Sequence, residues 1–152
     1  MTKLLTTKFL LVDDDEDDAV MFCEEVTLID PVMKCYKAEN GQQVFELLSQ
    51  YRPDKPDVIF LDINMPIMDG WECLRRLKQD LDYRHIPVIM YSTSSARRDV
   101  DKAYELGALT FLTKPENMRE LSNILHVVAK TPHDSLLIEL QSFNSVKMRK
   151  AG

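Results

Sequence analysis

Between Asp57 and Asp62 the chain runs Val58-Ile59-Phe60-Leu61 without one polar side chain. Successive residues of an extended strand point to opposite faces, so both faces of this strand must be covered. A sheet with one wet face would alternate apolar and polar residues instead. Helices on both sides of a parallel sheet supply the cover, and the rest of the chain alternates to match. Residues 8–13 predict a first strand of the same kind. Helical spacing of Ala19, Val20, Phe22, Cys23 and Val26 follows from Glu16 to Ile29, with acids at the positive end of the helix dipole and Pro31 closing it. Met33 to Ala38 is less apolar, as suits an edge strand. Gly41 to Tyr51, with Val44, Leu47 and Leu48 on one face, predicts a second helix, and 52–56 a connector. Trp71 to Gln79 predicts a third helix, and 87–92 a fourth strand. Ser94 or Ser95 is the expected cap of a fourth helix that buries Ala96, Val100, Ala103 and Tyr104 and ends at Gly107. Leu109 to Thr113 predicts a fifth strand, and Met118, Leu121, Ile124, Leu125 and Val128 mark a fifth helix. Five βα units make an α/β, doubly wound (βα)5 fold, a parallel sheet between two helical layers.

The expected domain spans residues 8–130. Residues 131–152 form an extension, in which Leu136, Leu137, Ile138 and Leu140 predict one short helix before a disordered tail. Those leucines can dock on their own domain or on a second copy, which would make a homodimer. The 25 acids outnumber the 19 lysines and arginines, which argues against nucleic acid as a partner. No apolar run approaches the ~20 residues that span a bilayer, and no secretory leader is visible, so the expectation is a cytoplasmic protein away from the membrane. Cys23, Cys35 and Cys73 are odd in number and scattered, which predicts three free thiols in a reducing compartment. The Lys147–Lys150 cluster reads as a solubilising tail. His85, His126 and His133 fit no ligand or nucleophile pattern, Trp71 reads as packing, and Asp69-Gly70 as turn chemistry.

Ligands of open α/β sheets sit beyond the carboxyl ends of the strands. The first strand ends in Asp13 and Asp14, the third in Asp62, the fourth in Ser92, and Lys114 follows the fifth. A hard divalent cation, Mg²⁺ or Mn²⁺, takes such oxygen ligands and relieves the repulsion that opposes ionisation of three neighbouring carboxylates. Phosphoryl transfer needs an in-line nucleophile and positive charge around the equatorial oxygens. Asp62 can supply the first, the cation and Lys114 the second, and Ser92 a hydrogen bond. Asp15, Glu16, Asp17 and Asp18 read as the exposed start of the first helix.

The set Asp13-Asp14, Leu61-Asp62-Ile63-Asn64-Met65-Pro66-Ile67-Met68-Asp69-Gly70, Met90-Tyr91-Ser92 and Thr113-Lys114-Pro115 resembles the receiver domain of two-component response regulators, the CheY-like fold, over about residues 8–130. The resemblance implies a flavodoxin-like sheet in strand order 2-1-3-4-5. It implies that Asp62 accepts a phosphoryl group from the phosphohistidine of a sensor histidine kinase or His-containing phosphotransfer protein. Asp14 would bind the cation directly and Asp13 largely through water, with Asp62 and the main-chain carbonyl of Asn64 as further ligands. Ser92 matches the family's switch hydroxyl, Lys114 its phosphate-pairing lysine, and Phe111 the aromatic that turns inward on activation. The bond before Pro115 is typically cis in the family. Thr93 stands where the family often has Ala or Gly, which implies tighter access and slower dephosphorylation. Phe111 has no hydroxyl, so no Tyr-specific hydrogen bond to a partner is expected. The acid run is similar to that of stand-alone receivers, among them partners of phytochrome-type kinases.

The leading reading is therefore a signalling switch rather than a conventional enzyme, with no output domain in these residues. Its target would bind the face made by the fourth helix, fifth strand and fifth helix. The alternative is an aspartate-nucleophile phosphatase of the haloacid-dehalogenase type, whose D-x-D pattern Asp13-Asp14-Asp15 contains. Against it, the turn after the first strand and a later acidic pair are missing. A degenerate receiver serving only as a scaffold is disfavoured, because no site residue is missing.

Overall fold

The all-apolar run becomes β3 (Val58–Leu61), buried at every position and hydrogen-bonded between two other buried strands. The computed structural model describes residues 5–50 and 54–151, and of residues 144–151 the backbone alone. In chain order the elements are β1 (Lys8–Val12), α1 (Glu16–Ile29), β2 (Lys34–Ala38), α2 (Gly41–Gln50), β3, α3 (Gly70–Gln79), β4 (Val88–Ser92), α4 (Arg97–Glu105), β5 (Thr110–Thr113), α5 (Met118–Lys130) and α6 (His133–Ala151). The expected end of the second helix at Tyr51 and the start of its connector lie outside the described residues. All strand pairs are parallel, in the order β2-β1-β3-β4-β5, with Val12 opposite both Ala38 and Leu61. The less apolar β2 is an edge strand, as its composition predicts.

Strand alternation divides the core in two. Leu10, Val12, Ile59, Leu61, Val88, Met90 and Phe111 face α2, α3 and α4. Phe9, Leu11, Val58, Phe60, Ile89, Tyr91 and Leu112 face α1, α5 and α6. Pro87 and Leu109 precede β4 and β5, and the edge bond Leu109 N–H to Val88 C=O enters the ladder there.

Three local expectations change. Neither Ser94 nor Ser95 is the N-cap of α4; Ala96 holds that position without a side-chain cap bond. Ser94 acts one step earlier: its Oγ accepts from Ala96 N–H and donates to Asp99 Oδ2. The end of α4 follows expectation, since Gly107 (φ 97°) and Ala108 donate to Tyr104 and Ala103 in a Schellman motif. Tyr104, expected in the core, is partly exposed, and its hydroxyl bonds to Thr110 Oγ1 (2.9 Å) across to β5.

Second, the cysteines are not three free thiols. Cys23 on α1 and Cys35 on β2 form a disulfide, and among the described residues Cys73 is free and buried. Their separation of 12 residues carries no pairing signal; the packing of α1 on the β1-β2 edge brings the Cα atoms to 5.3 Å. Third, the short helix and disordered tail give way to a 19-residue helix, α6, packed against α5 and β5. Leu136 and Leu140 are fully buried and Phe143 packs beside them, at helical spacing. Among the described residues no helix is long and apolar enough to cross a membrane.

Candidate functional site

β1 and β3 are neighbours, so the residues that follow them emerge side by side. Asp13 N–H donates to Ala38 C=O (2.9 Å), and Asp62 N–H to Val12 C=O (2.9 Å), which extends the ladder one residue past each strand. Asp13 is buried, and its Oδ1 accepts from Asp15 N–H (2.9 Å). Asp15 is in turn the N-cap of α1, accepting from Asp18 N–H. Asp62 Oδ1 accepts from Ile63 N–H (2.7 Å). The acid run thus has a metal-type part and a helix-capping part with a hydrogen-bonded joint between them, and Asp18 departs from the expected exposed helix start.

The loop after Asp62 is held tightly. Gly70 N–H donates to Ile63 C=O (2.8 Å), and a Cβ at Gly70 would stand 2.0 Å from the Asp62 main-chain oxygen. Glycine is required by that close approach, not by an unusual φ. Met68 N–H donates to Pro66 C=O around Ile67 (φ 69°), a γ-turn whose β-branched centre is strained and 78% exposed. Asp69 caps α3 by accepting from Glu72 N–H, which agrees with the turn reading of that residue.

Lys114 reaches the acids from the end of β5. Its N–H donates to Ser92 C=O (2.7 Å), and its Nζ to Asp13 Oδ2 (2.6 Å), Asp18 Oδ2 (3.2 Å) and Asp62 Oδ2 (3.5 Å). The ring of Tyr91 lies 5.8 Å from the same Nζ. Burial opposes the charge on Lys114, but the hydrogen bond to Asp13, the charges of Asp62 and Asp13 and the hydrogen bond to Asp18 outweigh it and hold the ammonium above its ordinary pKa. Burial pushes the Asp62 carboxyl up to about 6, against the pull of Lys114 and with the push of Asp13. Burial, aided by these same acids, also raises the Tyr91 hydroxyl.

Carboxylate oxygens of Asp13, Asp14 and Asp62 lie within 4.8 Å of one another, and Asp14 is exposed to solvent. Three such oxygens with an open side fit a hard, partly hydrated divalent cation. Ser92 is buried at the end of β4, and its Oγ accepts from Ser94 N–H (3.2 Å). Asn64 and Thr93 are less enclosed, and Thr93 lines a cavity of about 600 Å³ beside Lys114 with Asp18, Tyr91 and Pro115. Phe111 is buried on the α4 side of β5, opposite Met90.

Two contributors were not singled out by sequence reasoning. Asp18, read as solvated helix start, pairs with Lys114. Tyr91, read only as part of a strand, turns its ring beside the ammonium. Position in the first helical turn, three residues past the cap, was the available signal for Asp18. His85, His126 and His133 stay outside the site; His126 Nδ1 bonds to Ser122 C=O within α5.

The sequence profile of the response regulator receiver domain matches residues 9–126. The response regulator Rcp1 of Synechocystis sp. is 32% identical over 116 residues, covering 74% of this chain and 79% of Rcp1. The response regulator PleD of Caulobacter vibrioides is 34% identical over 111 residues, or 73% of this chain. The chain spans only 23% of PleD and 34% of a probable cyclic di-GMP phosphodiesterase of Vibrio cholerae, to which it is 29% identical. Among solved structures, the phosphorylated cyanobacterial phytochrome response regulator RcpA superposes with a TM-score of 0.71 at 30% identity, covering 79% of this chain and 89% of RcpA. The Mn²⁺-bound form of Rcp1 gives 0.66 at 32% identity, covering 78% and 88%. With a sheet of order 2-1-3-4-5, acids after β1 and β3 and a lysine after β5, this chain belongs to the response regulator receiver domain family.

Proposed function

We propose that this chain is a phosphorylation-dependent signalling switch that takes a phosphoryl group on Asp62. The observation that carries the reading is the convergence of Lys114 Nζ on Asp13 and Asp62 at the carboxyl edge of the sheet. In the reaction, a carboxylate oxygen of Asp62 attacks phosphorus in line with the phosphohistidine P–N bond. That bond breaks, and the imidazole leaves with the electron pair and is protonated by solvent. Asp13, Asp14, Asp62 and the main-chain carbonyl of Asn64 would hold Mg²⁺ or Mn²⁺. When bound, the cation neutralises charge on the phosphoryl oxygens. Lys114 offers its ammonium to one phosphoryl oxygen and Ser92 its hydroxyl to another, while Thr93 narrows the approach of water. Ser92 leaves Ser94 N–H to do so, and Phe111 fills the space behind it. The two arrangements form a two-state equilibrium that phosphorylation biases.

The donor would be a sensor histidine kinase or His-containing phosphotransfer protein, in the cytoplasm. Similar structures come from phytochrome and red-light regulators, which makes a phytochrome-type kinase the first donor to test. The receiver proper would be residues 8–130, with 131–152 as an extension. A protein target would bind the face of α4, β5 and α5, and α6 offers a further surface there for a target or a second copy. The test uses acetyl phosphate with Mg²⁺ and intact-mass detection. One acyl phosphate per chain, absent in Asp62→Asn, is expected. Rapid turnover of varied phosphate esters, with no stable adduct, would instead make it a phosphatase.

A further inference from the structure

We propose that Asp18 is a positioning residue that acts through Lys114, holding the ammonium on the α1 side of the cleft in competition with a phosphoryl group on Asp62. The inference rests on the phosphoacceptor reading of Asp62 and deepens it. An ammonium has three N–H donors, and three carboxylates surround this one. Asp13 follows β1 and Asp62 follows β3; both belong to the cluster that fits a cation. Asp18 comes from the first turn of α1 and stands outside that cluster. It is the most exposed of the three, yet its backbone is pinned, because its N–H donates to the capping Asp15 Oδ1. A divalent cation that neutralises Asp13 and Asp62 leaves Asp18 as the carboxylate with an undiminished hold on Lys114.

Phosphorylation replaces the single charge of the Asp62 carboxylate by about two on the phosphoryl oxygens, a net gain of about one negative charge. The new oxygens draw Lys114 away from Asp18, and Asp18 repels them. Both effects oppose the modification, so Asp18 sets how much phosphodonor is needed. Simple through-space repulsion predicts the same direction, but only the first effect needs Lys114.

The two are separated by titrating acetyl phosphate at fixed Mg²⁺ against the full chain and four variants: Asp18→Asn, Asp18→Glu, Lys114→Ala and the Asp18→Asn/Lys114→Ala double variant. The phosphorylated fraction is read by intact mass, and thermal melts check that each variant is folded. Asp18→Asn is expected to lower the half-saturating acetyl phosphate by roughly two- to fivefold, the size a partly exposed ion pair commands. Asp18→Glu should restore most of the original value. In the Lys114→Ala background the effect of Asp18→Asn should shrink to the smaller part that repulsion alone supplies. An Asp18→Asn variant that titrates like the parent overturns the proposal, and so does an equal shift in both backgrounds. A parent chain that takes no phosphoryl group fails differently, because it removes the phosphoacceptor reading itself.

Discussion

Asp62 is pulled two ways, by burial that favours its neutral form and by Lys114 that favours its charge. Burial wins, and the carboxyl moves from its ordinary 3.8 to about 6. Between these values the folded chain binds the proton more tightly than the unfolded chain. Stability therefore falls as pH rises from about 4 to about 6, and the cost persists at neutral pH. Asp62→Asn, measured with a chelator present, should gain about 1–2 kcal/mol at pH above about 7 and nothing near pH 4. Urea melts at the two pH values decide it, and an equal effect at both would refute the shift. The same proton competes with a cation, so Mg²⁺ affinity measured by calorimetry should weaken as pH drops below about 6. Gly70 belongs to this scale too, since its missing Cβ is what lets the Asp62 main-chain oxygen sit where it does.

Among the elements, α1 carries the most functions for its length. Its cap, Asp15, bonds onward to Asp13; its first turn supplies Asp18 to Lys114; its middle supplies Cys23 to the disulfide with Cys35. The disulfide ties α1 to the edge strand β2, whose outer side has no neighbouring strand among the described residues. Closing so short a loop limits the unfolded chain, and Cys35→Ser should cost about 2–3 kcal/mol of stability. Urea melts of the parent with and without reductant give the same quantity independently. A melt indifferent to reductant would show that the bond contributes nothing. Cys73 should not interfere, because burial pushes its thiol up to about 12 and keeps it protonated.

For the whole molecule, the order β2-β1-β3-β4-β5 decides where chemistry can occur. The chain winds one way from β1 to β2 and the other way from β2 past β1 to β3, β4 and β5, so the crevice opens where Asp13 and Asp62 emerge. α6 extends the same body rather than trailing from it, with Leu136 and Leu140 sealed against the α1–α5 side of the core. Leu140→Ala should therefore cost about 2–4 kcal/mol and lower the melting temperature of the whole domain in one cooperative transition. An exposed tail helix would give a change below about 0.5 kcal/mol.

Much of this was legible in the sequence, for a local reason. Val58 to Leu61, the helical spacing in α1 and α5, and the acids or lysine just past each strand are statements about neighbouring residues. Periodicity determines which residues face a core, and strand ends determine where polar groups collect, so the α/β class and the gathering of Asp13, Asp62 and Lys114 followed without coordinates. Contacts between distant residues were decided only by the tertiary structure. Asp18 and Lys114 are 96 residues apart, Cys23 and Cys35 sit on different elements, and α6 finds its place only once α5 and β5 exist to receive it. Ser94 stands one step before the cap that was expected of it, its Oγ accepting from Ala96 N–H and donating to Asp99 Oδ2. In each case a side chain chose among several partners its type would accept, and the choice depended on what packing brought within reach.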